Sequence, residues 1–249
     1  MTDADTALQF KQQAALRAAE LVQSGMVVGL GEGRTALLAV QRIGELLQAG
    51  ALTNILGVAA SLRIEAEAQR LGIPLTTLNA HPCIDLTIDG ADEVDPQLDL
   101  IKGGGGALLR EKIIAQATRR EVIVVDEAKL VPALGTAWAV PVEVVPFGWR
   151  SQYDYLSGLG ARVAPRPAGV NLKAGEQPAA GPDTPLEALY RTDQGNIILD
   201  CYFGPIHDTA ALAERIKRRA GVVEHGLFLG LAHEVIVAGP GGIRHLRRG

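Results

Sequence analysis

Four consecutive glycines, Gly103 to Gly106, constrain this chain more than any other feature. Glycine loses more conformational freedom on folding than any other residue, so an unbroken run between ordered segments needs a compensating use. A flexible linker would carry serine and lie between domains. This run instead follows an apolar patch, Leu98 to Ile101, and opens a helical pattern. The physical use for such a loop is close approach of backbone N–H groups to an anion at a helix N-terminus.

Titratable groups crowd around the run. Asp89 and Asp92 lie three apart, with Gly90 between them, after a short apolar segment ending at Ile88. Lys102 immediately precedes the glycines, and Glu111 lies about one turn into the helical pattern. Taken singly, each has an ordinary structural reading: turn acids, a solvated strand end, a first-turn acid favoured by the helix dipole. Taken together they suit proton transfer beside a carbonyl. A carboxylate removes a C–H proton, an ammonium and N–H donors hold the charge that develops on oxygen, and a second carboxylate moves protons between oxygens.

The segment Asp85 to Ala115 resembles the ribose-5-phosphate isomerase family, type A, in the motifs D-G-A-D-E and K-G-G-G-G-A-L-x-R-E-K, and the resemblance extends over nearly the whole chain. It implies an aldose–ketose isomerase that interconverts ribose 5-phosphate and ribulose 5-phosphate with no cofactor. Glu111 is then the general base, and Lys102 neutralises the oxyanion. Asp89 and Asp92 assist ring opening and proton movement, with Gly90, Ala91, Gly103, Gly104 and Gly105 offering backbone contacts to substrate. The resemblance also implies a cytoplasmic homodimer or higher homo-oligomer. Two other classes are weighed beside it: an isomerase of a different phosphorylated sugar or sugar acid, and a non-enzymatic sugar-phosphate sensor. The sensor would carry a DNA-binding segment, and no helix-turn-helix is read on either side.

Upstream, residues 4–23 read as an amphipathic helix and 26–30 as a buried strand. The strand runs into Gly31-Glu32-Gly33-Arg34-Thr35 and a helix, the phosphate-binding arrangement of α/β proteins. Counted from Gly29 the glycines give G-x-G-x-G-R, which fails the dinucleotide fingerprint, and no Walker A pattern occurs. In the resembled family this loop reads G-T-G-S-T. Gly31, Gly33 and Thr35 match, whereas Glu32 and Arg34 do not. The next loop is rich in hydroxyls in the family; here Ser61 remains beside Arg63 and Glu65. Arg34 can cancel Glu32 or bind the phosphate through its planar fork, and direct binding is the expectation. The resemblance adds Lys11, and Lys129 of a D-x-x-K motif at Asp126, as phosphate contacts.

Strand and helix patterns alternate through residue 125, including strands at 54–59, 73–78 and 121–125. The expected fold is therefore α/β: a largely parallel three-layer Rossmann-like domain. Downstream the order becomes βαββαβ, with a strand at 222–229, and reads as an inserted small ferredoxin-like α+β domain. The boundaries fall at 1–138 and 231–249 for the catalytic domain and 139–230 for the insertion. The Pro-, Ala- and Gly-rich stretch 166–190 reads as an exposed loop with no chemistry, and Arg244, Arg247 and Arg248 as a solvated basic tail. A net charge of −4 argues against nucleic acid. No apolar run approaches the roughly 20 residues of a membrane span, and the polar N-terminus lacks a signal-peptide core. The two cysteines, Cys83 and Cys201, read as reduced thiols, and the five histidines lack metal-ligand spacing.

Overall fold

A computed structural model describes residues 3–169, 175 and 180–248. The chain begins with α1 (Asp3–Ala19), β1 (Val27–Leu30), α2 (Arg34–Gln48), β2 (Leu56–Ala59), α3 (Leu62–Arg70) and β3 (Leu86–Asp89). Two short strands follow, β4 (Glu93–Val94) and β5 (Leu100–Ile101), then α4 (Leu108–Gln116) and β6 (Glu121–Asp126). The second half runs β7 (Val140–Val144), α5 (Trp149–Gly158), β8 (Arg162–Pro165), β9 (Ile197–Tyr202), α6 (Thr209–Lys217), β10 (Val222–His225), β11 (Leu227–Phe228), β12 (Glu234–Gly239) and β13 (Gly242–Arg247). These elements fall into two compact units, Met1–Ala91 with Arg110–Leu130 and Gly230–Gly249, and Asp92–Leu109 with Val131–Leu229. The segment Asp92–Leu109 thus groups with the second unit, whereas the sequence boundary at 138/139 puts it in the first.

The first unit is built on a six-stranded sheet in the order β13-β12-β6-β3-β1-β2. Every pairing is parallel except β12 with β13. The strands alternate as a sheet covered on both faces must. Val28, Leu30, Leu86, Ile88, Val122, Val124, Ile236 and Ala238 join one core with the apolar stripes of α1, α2 and α3. On the other face Ile114 of α4 packs with Val58, Ala60 and Ile84. Gly29 permits this closeness, since a Cβ there would lie 2.0 Å from Thr87 Oγ1 and 2.9 Å from Ile114. This is the expected three-layer, largely parallel arrangement.

Two local expectations change in this unit. Residues 73–78 form no strand and make only an isolated parallel bridge between Leu75 and Gly57. The basic tail is an edge strand: β13 zips along all of β12, Arg244 pairs with Glu127, and Arg247 reaches Glu234 at 3.6 Å. Alternating Ile243 and His245 among arginines gives too weak a pattern to signal a strand whose face is mostly exposed.

The second unit holds a four-stranded antiparallel sheet in the order β10-β7-β9-β8, reached by the path β7-α5-β8-β9-α6-β10. This is the ferredoxin-like order. Asp208 caps α6 through the Ala211 amide at 2.9 Å, a contact of the kind worth about 1 kcal/mol. The expected strand at 222–229 is two strands. β10 pairs with β7, while β11 leaves to pair with β5 in a three-stranded sheet β11-β5-β4. Gly226 marks the break, because a Cβ there would sit 2.3 Å from the Lys102 carbonyl oxygen. Part of the loop 166–190, residues 170–174 and 176–179, lies outside the described residues.

Candidate active site

In the first unit the polar groups gather where parallel strands end, as the ligand rule for open α/β sheets requires. β1 ends in Gly31, whose missing side chain lets Asp89 lie against the turn: a Cβ would meet Asp89 Oδ1 at 2.3 Å. Asp89 is 1% exposed, and its Oδ1 accepts from the amides of Glu32 at 3.0 Å and Gly90 at 2.7 Å. The carboxylate therefore fixes the start of the loop between β1 and α2. Gly33 caps α2 with φ +101°, a left-handed value that only glycine takes without strain. Thr35 is buried, Gly90 and Ala91 are half-buried, and Glu111 is buried in the first turn of α4.

Glu32 does not pair with Arg34. It is buried and turns to the end of β2, where Oε2 takes the Ser61 hydroxyl and Oε1 takes the Arg63 guanidinium, Nε at 3.0 Å and also Nη2. Oε1 also accepts the Gly33 amide at 2.9 Å. Ser61 in turn caps α3 by accepting from Ile64 N at 3.1 Å. The two loops that depart from the resembled family are thus joined by one buried carboxylate. Arg34 is exposed, and among the described residues no carboxylate pairs with it. At the end of β6, Asp126 caps the turn Glu127–Lys129 through the Ala128 amide at 3.1 Å and pairs with Lys11 at 3.2 Å. Lys11 is therefore held by an acid at this strand end rather than solvated, and Lys129 is half-buried in the adjoining turn.

The second unit carries Asp92, Lys102 and the glycine loop. Lys102 is 2% exposed, its amide donates to Gly226 O at 2.9 Å, and its ammonium stands 5.5 Å from the centre of the Phe228 ring. Gly103 has φ +102° and Gly106 φ +87°, and Gly106 N closes a turn onto Gly103 O at 3.0 Å. The anion that meets this loop is internal: Gly104 N donates to Asp92 Oδ2 at 2.7 Å. A Cβ on Gly104 would lie 2.7 Å from Asp92 Oδ1 and 2.9 Å from the Trp138 ring, and one on Gly106 would lie 2.3 Å from the Tyr190 hydroxyl. Gly105 is exposed. Gly103, Gly104 and Gly106 are therefore required by close approach, but the Gly104 donor is engaged by Asp92.

The loop read as devoid of chemistry contributes a buried charge. Arg166 is 1% exposed and grips Asp200 with Nε at 3.0 Å and Nη2 at 2.6 Å. Its Nη1 donates to the carbonyls of Gly103 at 2.9 Å and Gly104 at 3.2 Å. Nothing around Arg166 in the sequence A-P-R-P-A announces this. The available signal is Asp200, a single acid inside the apolar strand I-I-L-D-C-Y, which must have a buried partner. Likewise, Glu32 and Arg63 are departures of opposite charge, and that opposition is the signal that they meet. Among the described residues no group of three or more His, Cys, Asp or Glu side chains could hold a metal ion, and no helix is long and apolar enough to cross a membrane.

A family model described as ribose 5-phosphate isomerase A (phosphoriboisomerase A) matches residues 56–242. A ribose-5-phosphate isomerase A of Chloroflexus aurantiacus is 53% identical over 236 residues, 95% of this chain and 92% of that protein. Among solved structures, a D-ribose-5-phosphate isomerase in complex with phospho-erythronic acid superposes with a TM-score of 0.86 at 37% identity, covering 96% of this chain and 98% of that one. The ribose 5-phosphate isomerase A of Methanocaldococcus jannaschii gives a TM-score of 0.84 at 35% identity, with the same coverage.

Proposed function

The chain belongs to the ribose 5-phosphate isomerase A family, and from that premise we propose how its own residues interconvert D-ribose 5-phosphate and D-ribulose 5-phosphate. Glu111 takes the C2 proton of the open-chain aldose. The electron pair forms the C1–C2 double bond of an enediolate, and negative charge collects on O1. Lys102 neutralises that charge, the role a metal plays in other isomerases. Return of the proton to C1, with transfer of the O2 proton to O1, gives the ketose. Asp89 and Asp92 serve ring opening and the oxygen-to-oxygen transfer.

The observation that carries this assignment is the burial of a carboxylate, Glu111, in the first unit and of an ammonium, Lys102, in the second, two residues that lie on either side of the glycine run in the sequence. Burial strengthens electrostatic stabilisation and restrains both side chains before substrate arrives. The phosphate is assigned to the N-terminus of α2, with Gly31, Gly33 and Thr35 supplying the cradle. Arg34 supports it directly, because the charge of Glu32 is answered by Arg63 and Ser61. Lys11 and Lys129, at the end of β6, complete the cationic side. The chemistry needs no cofactor, and nothing observed favours the sensor reading. The same family membership carries the expectations of a homo-oligomer and a cytoplasmic location, which size-exclusion chromatography and fractionation measure.

The test is Glu111→Gln. Loss of a positioned base costs about 10²–10⁴-fold in rate, so turnover should collapse while ribose 5-phosphate still binds. A variant that retains more than about a tenth of the wild-type rate refutes the assignment.

A further inference from the structure

We propose that Arg166 is a positioning residue for Asp92 and acts through the Gly103–Gly104 peptide. The inference rests on the reading of Asp92 as a group that moves protons on the substrate. All the residues concerned lie in the second unit.

One peptide group joins the two side chains. Its carbonyl, Gly103 O, accepts from Arg166 Nη1 at 2.9 Å, and its N–H, on Gly104, donates to Asp92 Oδ2 at 2.7 Å. A peptide is planar and trans, so its C=O and N–H point in opposite directions and turn together. Fixing the oxygen fixes the direction of the donor. This peptide would otherwise be poorly restrained. Gly103 and Gly104 on either side of it lack side chains, and a glycine peptide rotates with little steric resistance. The turn bond from Gly106 N to the same oxygen is a second restraint, at 3.0 Å. Arg166 adds a bond to Gly104 O at 3.2 Å, which restrains the next peptide plane as well.

Arg166 is itself immobile. Both arms of its fork are engaged by Asp200, whose residue is 0% exposed on the central strand β9. Its backbone is pinned too, with its amide on Ile198 O at 2.9 Å and its carbonyl accepting Tyr190 N at 2.8 Å. Burial disfavours the charged guanidinium, but the charge of Asp200, its hydrogen bonds and the charge of Asp92 outweigh this and raise the pKa above its ordinary value. A cation at the oxygen end of a peptide polarises it and strengthens the N–H as a donor. The donor then holds the Asp92 carboxylate in one orientation. A buried ion pair is seldom kept for stability alone, because well-packed apolar residues of similar volume do as well. Here the pair has a further product: it aims a backbone donor at a reacting acid.

The experiment uses Arg166→Lys, which keeps a cation opposite Asp200 but offers three donors on one nitrogen where Arg166 makes four bonds from three nitrogens. A second variant, Arg166→Met with Asp200→Leu, removes both charges and keeps the volume, so that the fold survives if either change alone does not. Each is measured alone and combined with Asp92→Asn. The expected result is a fall in kcat of at least about tenfold with KM for ribose 5-phosphate within about threefold. In the Asp92→Asn background the same change should cost little more, because both act on one step. A folded variant with wild-type kcat, or losses that multiply independently of Asp92→Asn, overturns the proposal. The Gly104 amide resonance separates the two readings. If Asp92→Asn leaves kcat unchanged, the role given to Asp92 fails, while a shifted and broadened Gly104 resonance in Arg166→Lys still reports the positioning contact. An unshifted resonance overturns it.

Discussion

Arg63→Ala is the change for which the structure gives the clearest magnitude. In the wild type the Glu32 carboxylate is buried in the loop between β1 and α2, and Arg63 holds its charge together with Ser61 and the Gly33 amide. Removing the guanidinium leaves a negative charge at the place assigned to a dianion. Two unit charges about 4 Å apart repel by roughly 1 kcal/mol in water and roughly 4 kcal/mol at an effective dielectric near 20. The Arg63 side chain is 54% exposed, so solvent screens the pair and the lower half of that range applies. Taking about 1–2.5 kcal/mol, KM for ribose 5-phosphate should rise about fivefold to seventyfold, with kcat changed far less. The double change Glu32→Thr with Arg63→Ala removes the acid along with its partner and should recover most of the loss. The assay is steady-state isomerisation across substrate concentration, at low and at high salt, since the effect must shrink as salt screens it. If Arg63→Ala leaves KM within about twofold, or the double change recovers nothing, the electrostatic reasoning is wrong and the pair is only a brace between two loops. Arg34→Ser, measured in parallel, should raise KM by at least about tenfold on its own, because Arg34 is held to bind phosphate rather than to cancel Glu32.

Three further outcomes follow from the packing and charge already described. Gly104→Ala places a methyl 2.7 Å from Asp92 Oδ1 and 2.9 Å from Trp138, so kcat should drop by at least about tenfold while thermal melting moves by only a few degrees; wild-type turnover in this variant would show that Asp92 needs no such placement. Glu143, which accepts from Thr192 and Asn196, has its carboxyl pushed above the ordinary value by burial, against the pull of those hydrogen bonds. A folded-state pKa raised in this way gives stability that is complete below about 4.5 and lost as pH rises through the folded value. Denaturation from pH 5 to 8 should therefore show wild type losing stability relative to Glu143→Gln, and parallel curves would contradict it. Because Lys102 supplies the positive charge, activity should persist after exhaustive chelation; a loss restored by Mg²⁺, Mn²⁺ or Zn²⁺ would contradict the assignment.

The sequence by itself determined the architecture and pointed to the residues of the candidate site. Strand and helix periods with short connections dictate a parallel sheet, and βαββαβ dictates the ferredoxin-like order, because both follow from local pattern and short-range connection rules. The glycine run between Lys102 and Glu111 marked the candidate site, since backbone entropy makes such a run costly anywhere else. Where a pattern was faint or broken, it misled: β13 hides in a basic stretch, and the break at Gly226 sends β10 and β11 to different sheets. What the tertiary structure alone decided is who pairs with whom. Glu32 lies beside Arg34 in sequence, yet its carboxylate meets Arg63, 31 positions along, because the ends of β1 and β2 are neighbours in the sheet. Lys11 meets Asp126 at the end of β6, and Arg166 reaches Gly103 across 63 positions. Charge pairing depends on distance in space and on burial, and neither is a property of sequence spacing once strands cross over.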